Sequence, residues 1–93
     1  MDFEWDERKR LSNLERHGLD FFEARLMFEG PILTALDTRQ DYGEDRWIGV
    51  GIANGRVLVV AFTERNEGRT VRIISLRKAL SYECKTFEEI LGN

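Results

Sequence analysis

Apolar positions change their spacing along the chain, from helical at the two ends to strand-like in the middle. Residues 7–16 are mostly good helix formers and follow Asp6, a residue type that caps helix N-termini. Gly18 follows this segment and supplies a stop signal. The pattern therefore predicts a first helix that begins after Asp6 and ends just before Gly18.

The first helix has two candidate faces. Leu11 and Leu14 are three residues apart, and their spacing predicts the side that packs on a core. A second set of residues recurs at every fourth position and shares another face of the helix: Lys9, Asn13 and His17.

A second, shorter helix is predicted between the first helix and Gly30-Pro31, which ends it. Asp20 and Glu23 have the spacing of a capping box. The apolar residues after Asp20 are dense enough to pack in a core: Phe21, Phe22, Ala24, Met27 and Phe28.

The middle of the chain predicts four strands, at residues 32–36, 46–52, 57–64 and 70–76. Asn54-Gly55 is a type I′ hairpin signal between the second and third strands. The third strand is apolar from residue 57 to residue 62, as expected for a central strand that is buried on both faces. Helical spacing returns in residues 78–91, which we predict to form the last helix.

These elements predict one α+β domain over residues 1–93. Its sheet is four-stranded and antiparallel, with two N-terminal helices and one C-terminal helix. A single cysteine cannot form an internal disulfide, so a reducing cytoplasm is expected. Neither a signal peptide nor a membrane-spanning run is visible in the 93 residues.

Charge is distributed unevenly although the net charge is only -3. Residues 1–7 contain four acidic side chains and no basic one, whereas residues 65–78 contain five basic side chains and one acidic one. A basic strip of this kind is compatible with phosphate binding in an acidic protein. Solvated strand arginines are the simpler alternative.

Several kinds of chemistry find little support in the sequence. One histidine and one cysteine far apart do not make a zinc site, and the acidic residues lack calcium-loop spacing. Gly49, Gly51 and Gly55 lie in or after a strand with no helix following, unlike a phosphate-binding loop. Cys84 falls on the core stripe of the last helix and is expected to be a buried apolar residue. We expect no metal ion and no cofactor.

The candidate site is cationic. A metal-free ribonuclease needs a base for the 2′-hydroxyl, an acid for the leaving 5′-oxygen, and fixed cations for the charge that develops on phosphorus. Arginine suits the cationic role because it binds phosphate bidentately. The candidates are Arg65, Arg72 and Arg77 as cations, Glu64 or His17 as base, and Lys9 as an assisting cation.

Strand alternation places Arg72 and Arg77 on opposite faces of the fourth strand, so they share a face only if a bulge or the strand end reorients one. Each candidate also has a structural alternative. His17 can stabilise the end of the first helix, and Lys9 can be solvated. Glu64 and Arg65 can form an exposed strand end, and Arg72 and Arg77 can pair with acidic residues of the N-terminal segment.

The assembled residues resemble the BrnT family of toxins. The resemblance begins with Phe3-Glu4-Trp5-Asp6, Lys9 and Asn13, and continues through His17-Gly18 and Phe22-Glu23-Ala24. Arg46, Leu58-Val59-Val60 and Thr63-Glu64-Arg65 follow in order, and Arg72-Ile73-Ile74-Ser75 with Arg77 and Ala79 closes it. Leu76 stands where the family often has a small residue.

The resemblance implies a RelE-like fold, RNA cleavage that inhibits translation, and a cognate BrnA-like antitoxin. That antitoxin would carry a ribbon-helix-helix part, so that operator DNA is bound only through it. The alternative is a non-catalytic or degenerate module that keeps only the antitoxin-binding surface.

Overall fold

The computed structural model describes residues 1–92, which form three helices and one five-stranded mixed sheet. The strands are β1 (Asp2–Trp5), β2 (Ile32–Leu36), β3 (Trp47–Ala53), β4 (Arg56–Arg65) and β5 (Thr70–Lys78). The helices are α1 (Glu7–His17), α2 (Ala24–Met27) and α3 (Ser81–Leu91), with a 3₁₀ turn at Phe21–Glu23 before α2. The sheet order is β1-β5-β4-β3-β2.

The prediction of four antiparallel strands was wrong at the N-terminus. β1 adds a fifth strand, which pairs with β5 in parallel, so that Glu4 lies beside Arg72 and Trp5 beside Ile73. Residues 2–5 do alternate polar and apolar side chains, but the segment is short and acidic and leads directly into a helix cap. Its pairing depends on a strand about 70 residues later, which local patterns do not specify.

The predicted hairpin at Asn54-Gly55 is confirmed. Asn54 and Gly55 both have positive φ, at 52° and 75°, as a type I′ turn between β3 and β4 requires. Asn66, Glu67 and Gly68 also have positive φ and reverse the chain between β4 and β5. β4 is the central strand, and residues 58–63 are buried throughout.

The main core lies on one face of the sheet, here called the core face, which carries Val60, Phe62 and Ile73. Phe21 and Met27 pack against this face from the 3₁₀ turn and α2, and both are fully buried. The opposite face is partly covered by α3, whose Phe87 is 4% exposed. Full burial of side chains of this size contributes roughly 1.5–3 kcal/mol each.

The orientation of α1 differs from the prediction. Leu11 and Leu14 are 51% and 38% exposed, whereas Asn13 is 7% exposed and contacts the edge of β5. The Asn13 side chain donates to the Leu76 carbonyl at 2.8 Å and accepts from the Leu76 N–H at 3.0 Å. β1 ends beside Ile73, so the Asn13 amide satisfies the next backbone groups of β5 that β1 no longer reaches.

The predicted second helix is a 3₁₀ turn followed by a single α-helical turn. Asp20 caps it through the Phe22 N–H, but Glu23 does not complete the capping box. Its carboxylate instead accepts from Asn54 and Arg56, both at 2.8 Å, and ties the turn to the β3–β4 hairpin.

The last helix begins at Ser81 rather than at residue 78, because β5 continues through Lys78. The Glu83 carboxylate accepts from the Leu80 N–H at 2.7 Å and satisfies the start of α3. Cys84 is only partly buried, so it is not the core residue that the helical spacing predicted. None of the helices in residues 1–92 has the length and apolar character needed to cross a membrane.

Candidate functional site

A β-bulge in β5 places the predicted arginines on the same face of the sheet. Ala61 pairs with Ser75 and Phe62 with Ile73, so Ile74 is an extra residue in the ladder. Arg72 then lies opposite Thr63 and Arg77 opposite Val59, both on the face away from the main core. We call this the arginine face.

A row of polar residues crosses the arginine face at the level of Thr63. Glu4 pairs with Arg72, and Arg72 pairs with Thr63. Arg46 lies one residue before the last β3–β4 pair, Trp47 with Phe62, which puts it at the level of Thr63, and its carbonyl accepts from the Asp37 N–H at 2.7 Å. The row therefore holds three polar strand residues, Glu4, Arg72 and Thr63, and continues into Arg46 and Asp37, which lie directly beyond the ends of β3 and β2.

Carboxylates hold two arginines at one end of this row. Arg72 binds Glu4 at 2.7 Å, and Arg65 approaches both Glu4 and Glu44 at 3.6 Å. The side chains of Arg72 and Arg65 are 33% and 45% exposed, so these pairs are screened and add little stability. Their main effect is to orient the guanidinium groups.

Arg77 is held more firmly, by a bidentate pair with Glu83. Its two terminal nitrogens lie 2.8 and 2.9 Å from the two Glu83 oxygens. The hydrogen bonds from Arg77 lower the pKa of Glu83, and the Glu83 carboxylate in turn raises the pKa of Arg77. Glu83 also binds the Leu80 N–H, so the start of α3 is fixed relative to Arg77.

Asp37 organises the other end of the row. Its buried carboxylate, 1% exposed, accepts two side-chain hydrogen bonds from Arg39, at 2.9 and 2.8 Å, and one from the Tyr42 hydroxyl at 3.0 Å. The Arg39 hydrogen bonds hold the pKa of Asp37 well below its usual range. The Tyr42 ring in turn supports the Arg46 guanidinium, whose central carbon lies 3.8 Å from the ring centroid.

Arg77 lies between two clefts. The first, here called the face cleft, has a volume of about 410 Å³ and lies on the arginine face between α3 and the residues after β2. The second, here called the edge cleft, has a volume of about 570 Å³ and lies between the end of α1 and the end of β5. The edge cleft is lined by Arg16, His17, Arg77, Lys78 and Leu80.

The edge cleft has an excess of positive charge. Within residues 1–92, Arg16, His17 and Lys78 have no carboxylate within 4.0 Å, whereas Arg77 has Glu83. Unpaired basic side chains beside the fixed Arg77 suit a polyanion, because phosphate contacts depend on unpaired Lys and Arg.

The structure brings together most of the predicted site residues. Arg65, Arg72 and Arg77 share the arginine face, and His17 lines the edge cleft with Arg77. Lys9 is exposed on α1, two turns before His17, and belongs to neither cleft. The Leu76 side chain is fully buried in the main core, so it does not crowd Arg77.

Glu64 is separated from the arginines. It lies opposite Val71 on the core face of the sheet and lines a cleft with Phe62 and Trp47. The bulge that unites Arg72 and Arg77 leaves Glu64 on the other side, because alternation puts Thr63 and Arg65 on their face instead.

Sequence reasoning gave no role in the site to several residues that line it or hold its arginines, among them Glu4, Arg16, Lys78, Glu83 and Tyr82. The alternation of residues 2–5 was the available signal for the strand that carries Glu4. Glu83 and Tyr82 gave no signal, because they reach the site only through the packing of α3. Within residues 1–92, no three His, Cys, Asp or Glu side chains are grouped so as to hold a metal ion.

Comparisons with known proteins bear on the same residues. Residues 5–83 match the model of the family described as the ribonuclease toxin, BrnT, of type II toxin–antitoxin systems. A comparison with curated proteins gives no match. The matched segment runs from the end of β1 to the first turn of α3 and contains Arg65, Arg72 and Arg77. The chain belongs to the BrnT family of ribonuclease toxins.

Proposed function

We propose that this protein is a metal-independent endoribonuclease that cleaves RNA at Arg77, between the face cleft and the edge cleft. The bulge at Ile74 carries the proposal, because it puts Arg72, Ser75 and Arg77 on one open face beside the cleft that contains His17. Fixed guanidinium groups are the donors that a metal-free reaction needs for the charge on phosphorus.

In the proposed reaction the 2′-oxygen attacks the adjacent phosphorus while the bond from phosphorus to the 5′-oxygen breaks. His17 takes the 2′-hydroxyl proton while water protonates the leaving 5′-oxygen, or water takes the first proton while protonated His17 delivers the second. Arg77 and Arg72 bind the non-bridging oxygens, Arg65 adds positive charge at the far end of the arginine face, and Lys9 adds it on α1, two turns from His17. The products are a 2′,3′-cyclic phosphate and a 5′-hydroxyl.

The carboxylates at the site are positioning residues in this proposal. Glu83 and Glu4 hold Arg77 and Arg72 in fixed planes, which reduces the reorganisation that phosphate binding requires. Glu64 has no part in it, because its strand position is on the opposite face.

The direct test uses purified protein and a short RNA of mixed sequence, with EDTA present. Cleavage should continue in EDTA and leave a 2′,3′-cyclic phosphate. A matched RNA with a single 2′-deoxy nucleotide at the cleavage position should resist cleavage, because the attacking hydroxyl is missing. Loss of activity in EDTA, or cleavage of the 2′-deoxy RNA, would contradict the mechanism.

We further propose that the chain inhibits translation in a RelE-like manner and is neutralised by a cognate BrnA-like antitoxin with a ribbon-helix-helix part. An acidic segment of that partner would complement the edge cleft. Expression of the chain alone should arrest growth and deplete RNA, and Arg72→Ala/Arg77→Ala should cure both effects.

One outcome would favour the non-catalytic alternative. In residues 1–92, Arg65, Arg72 and Arg77 each have a carboxylate within 4.0 Å. A module that only binds a partner protein can tolerate this pairing. Normal growth and intact RNA at verified expression, with a stable antitoxin complex, would identify such a module.

A further inference from the structure

The floor of the face cleft is apolar and therefore suits something other than a phosphate group. Ile48, Val59 and Ala61 lie side by side on adjacent strands of the arginine face and line the cleft. Charged phosphate oxygens would gain nothing from such a floor, because burial of a charge without a polar partner is costly. A flat, largely apolar group with polar edges fits it better.

Tyr82 stands at the rim of the face cleft and is 68% exposed. Within residues 1–92 its ring makes no aromatic stacking contact, whereas Trp5, Phe3 and Phe28 all do. The next residue, Glu83, binds Arg77 through both oxygens. The Tyr82 backbone is therefore held at a fixed place relative to the arginine that divides the clefts.

Two polar side chains face the same cleft and have hydrogen-bonding groups that are not already used. Ser75 is exposed, and its hydroxyl has no partner within residues 1–92. Arg39 is held by Asp37, but its side chain is 76% exposed and uses only Nε and one terminal nitrogen in that pair. These groups can meet the edge of a ring that lies on the apolar floor.

We propose that the face cleft is a nucleobase pocket, in which Tyr82 stacks on one base of the RNA next to the phosphate bound by Arg77. Single-stranded RNA is recognised by such a combination of aromatic stacking and hydrogen bonds to base edges. Ser75 and Arg39 contact the edge of the base, and the sugar–phosphate backbone continues into the edge cleft. This inference rests on the proposed ribonuclease function.

The experiment measures binding of an uncleavable probe, an all-2′-deoxy oligonucleotide of mixed sequence, in which each base is removed in turn. For the unaltered protein, one abasic position should weaken binding by about 5- to 150-fold, the usual contribution of a stacked base. Tyr82→Ala should weaken binding of the intact probe by a similar factor. In that variant, removal of the same base should cost nothing further.

Two variants control for other effects. Tyr82→Phe keeps the ring and should retain the dependence on that base. Ile90→Ala removes another exposed apolar side chain of α3, 62% exposed, and should bind every probe as the unaltered protein does. A structural effect on α3 would instead lower affinity equally at all positions.

The outcomes separate this inference from the proposed function. If Tyr82→Ala binds every probe like the unaltered protein while RNA is still cleaved, the pocket is refuted and the proposed ribonuclease function stands. If Tyr82→Ala lowers affinity equally for all probes, the pocket is also refuted. If the unaltered protein neither binds the probe nor cleaves RNA, the proposed function fails and the pocket fails with it.

Discussion

Asn13 and Leu76 are joined by two hydrogen bonds across 63 residues of sequence, and their pairing extends the sheet beyond the end of β1. The side-chain amide takes the place of a neighbouring strand, with Nδ2 donating to the Leu76 carbonyl and Oδ1 accepting from its N–H. Arg77 follows Leu76 directly, so the same pair fixes the backbone beside the edge cleft.

Replacement of Asn13 by alanine should lower the free energy of unfolding by about 2–4 kcal/mol, because it leaves both backbone groups of Leu76 without their partner in a buried place. Urea denaturation measures the change. Ser12→Ala, at an exposed position of the same helix, should change stability by less than about 0.5 kcal/mol. An Asn13→Ala variant as stable as the Ser12→Ala control would show that the pairing contributes nothing.

Arg72→Gln and Arg77→Gln should each reduce the rate of RNA cleavage by about 10²- to 10³-fold, the usual effect of removing one donor to transition-state charge. Arg56→Gln is the matched control, since Arg56 also forms one ion pair, with Glu23, but lies at the β3–β4 hairpin. Cleavage rates and thermal unfolding are measured together. Equal activity of all three variants would show that the arginine face takes no part in RNA cleavage.

The pair of Glu83 with Arg77 should make stability depend on pH. The pKa of Glu83 is lowered from its ordinary value of 4.5, so its contribution is complete above that pH and is lost as the pH falls through the lower folded value. Glu83→Gln should therefore be less stable than the unaltered protein at pH 7, and the difference should shrink toward pH 3. Denaturation at several pH values tests this; a gap that stays constant would contradict the pairing.

Thr63→Val should stabilise the protein by about 1 kcal/mol. The Thr63 side chain is 1% exposed, and its hydroxyl has no hydrogen-bond partner within residues 1–92. Valine has nearly the same shape and avoids the cost of burying an unpaired polar group. Thermal unfolding provides the measurement, and a loss of stability would show that the buried hydroxyl is not a cost to the fold.

The sequence predicted those features that depend on neighbouring residues. Asp6 does cap α1 through the Arg8 and Lys9 N–H groups, and Asn54-Gly55 does form the hairpin turn. The predictions failed where distant segments decide the outcome. Leu11 and Leu14 looked like the buried side of α1, but the two hydrogen bonds offered by Leu76 draw the Asn13 side inward instead.

The site was only partly predictable for the same reason. Arg72 and Arg77 could be singled out by charge and residue type, but their common face depends on the extra residue Ile74, and a bulge has no clear mark in an apolar strand. The partners Glu4 and Glu83 come from β1 and α3, which reach the arginines only in the folded sheet.

The pairing of β1 with β5 also fixes when the site can exist during synthesis. Glu4 is made before its partner Arg72, which lies 68 residues later in the chain. Contacts between such distant segments form only after both have left the ribosome. A nascent chain that lacks β5 has neither the arginine face nor the edge cleft. The site is thus complete only after β5 and the start of α3 have emerged and β5 has paired with β1.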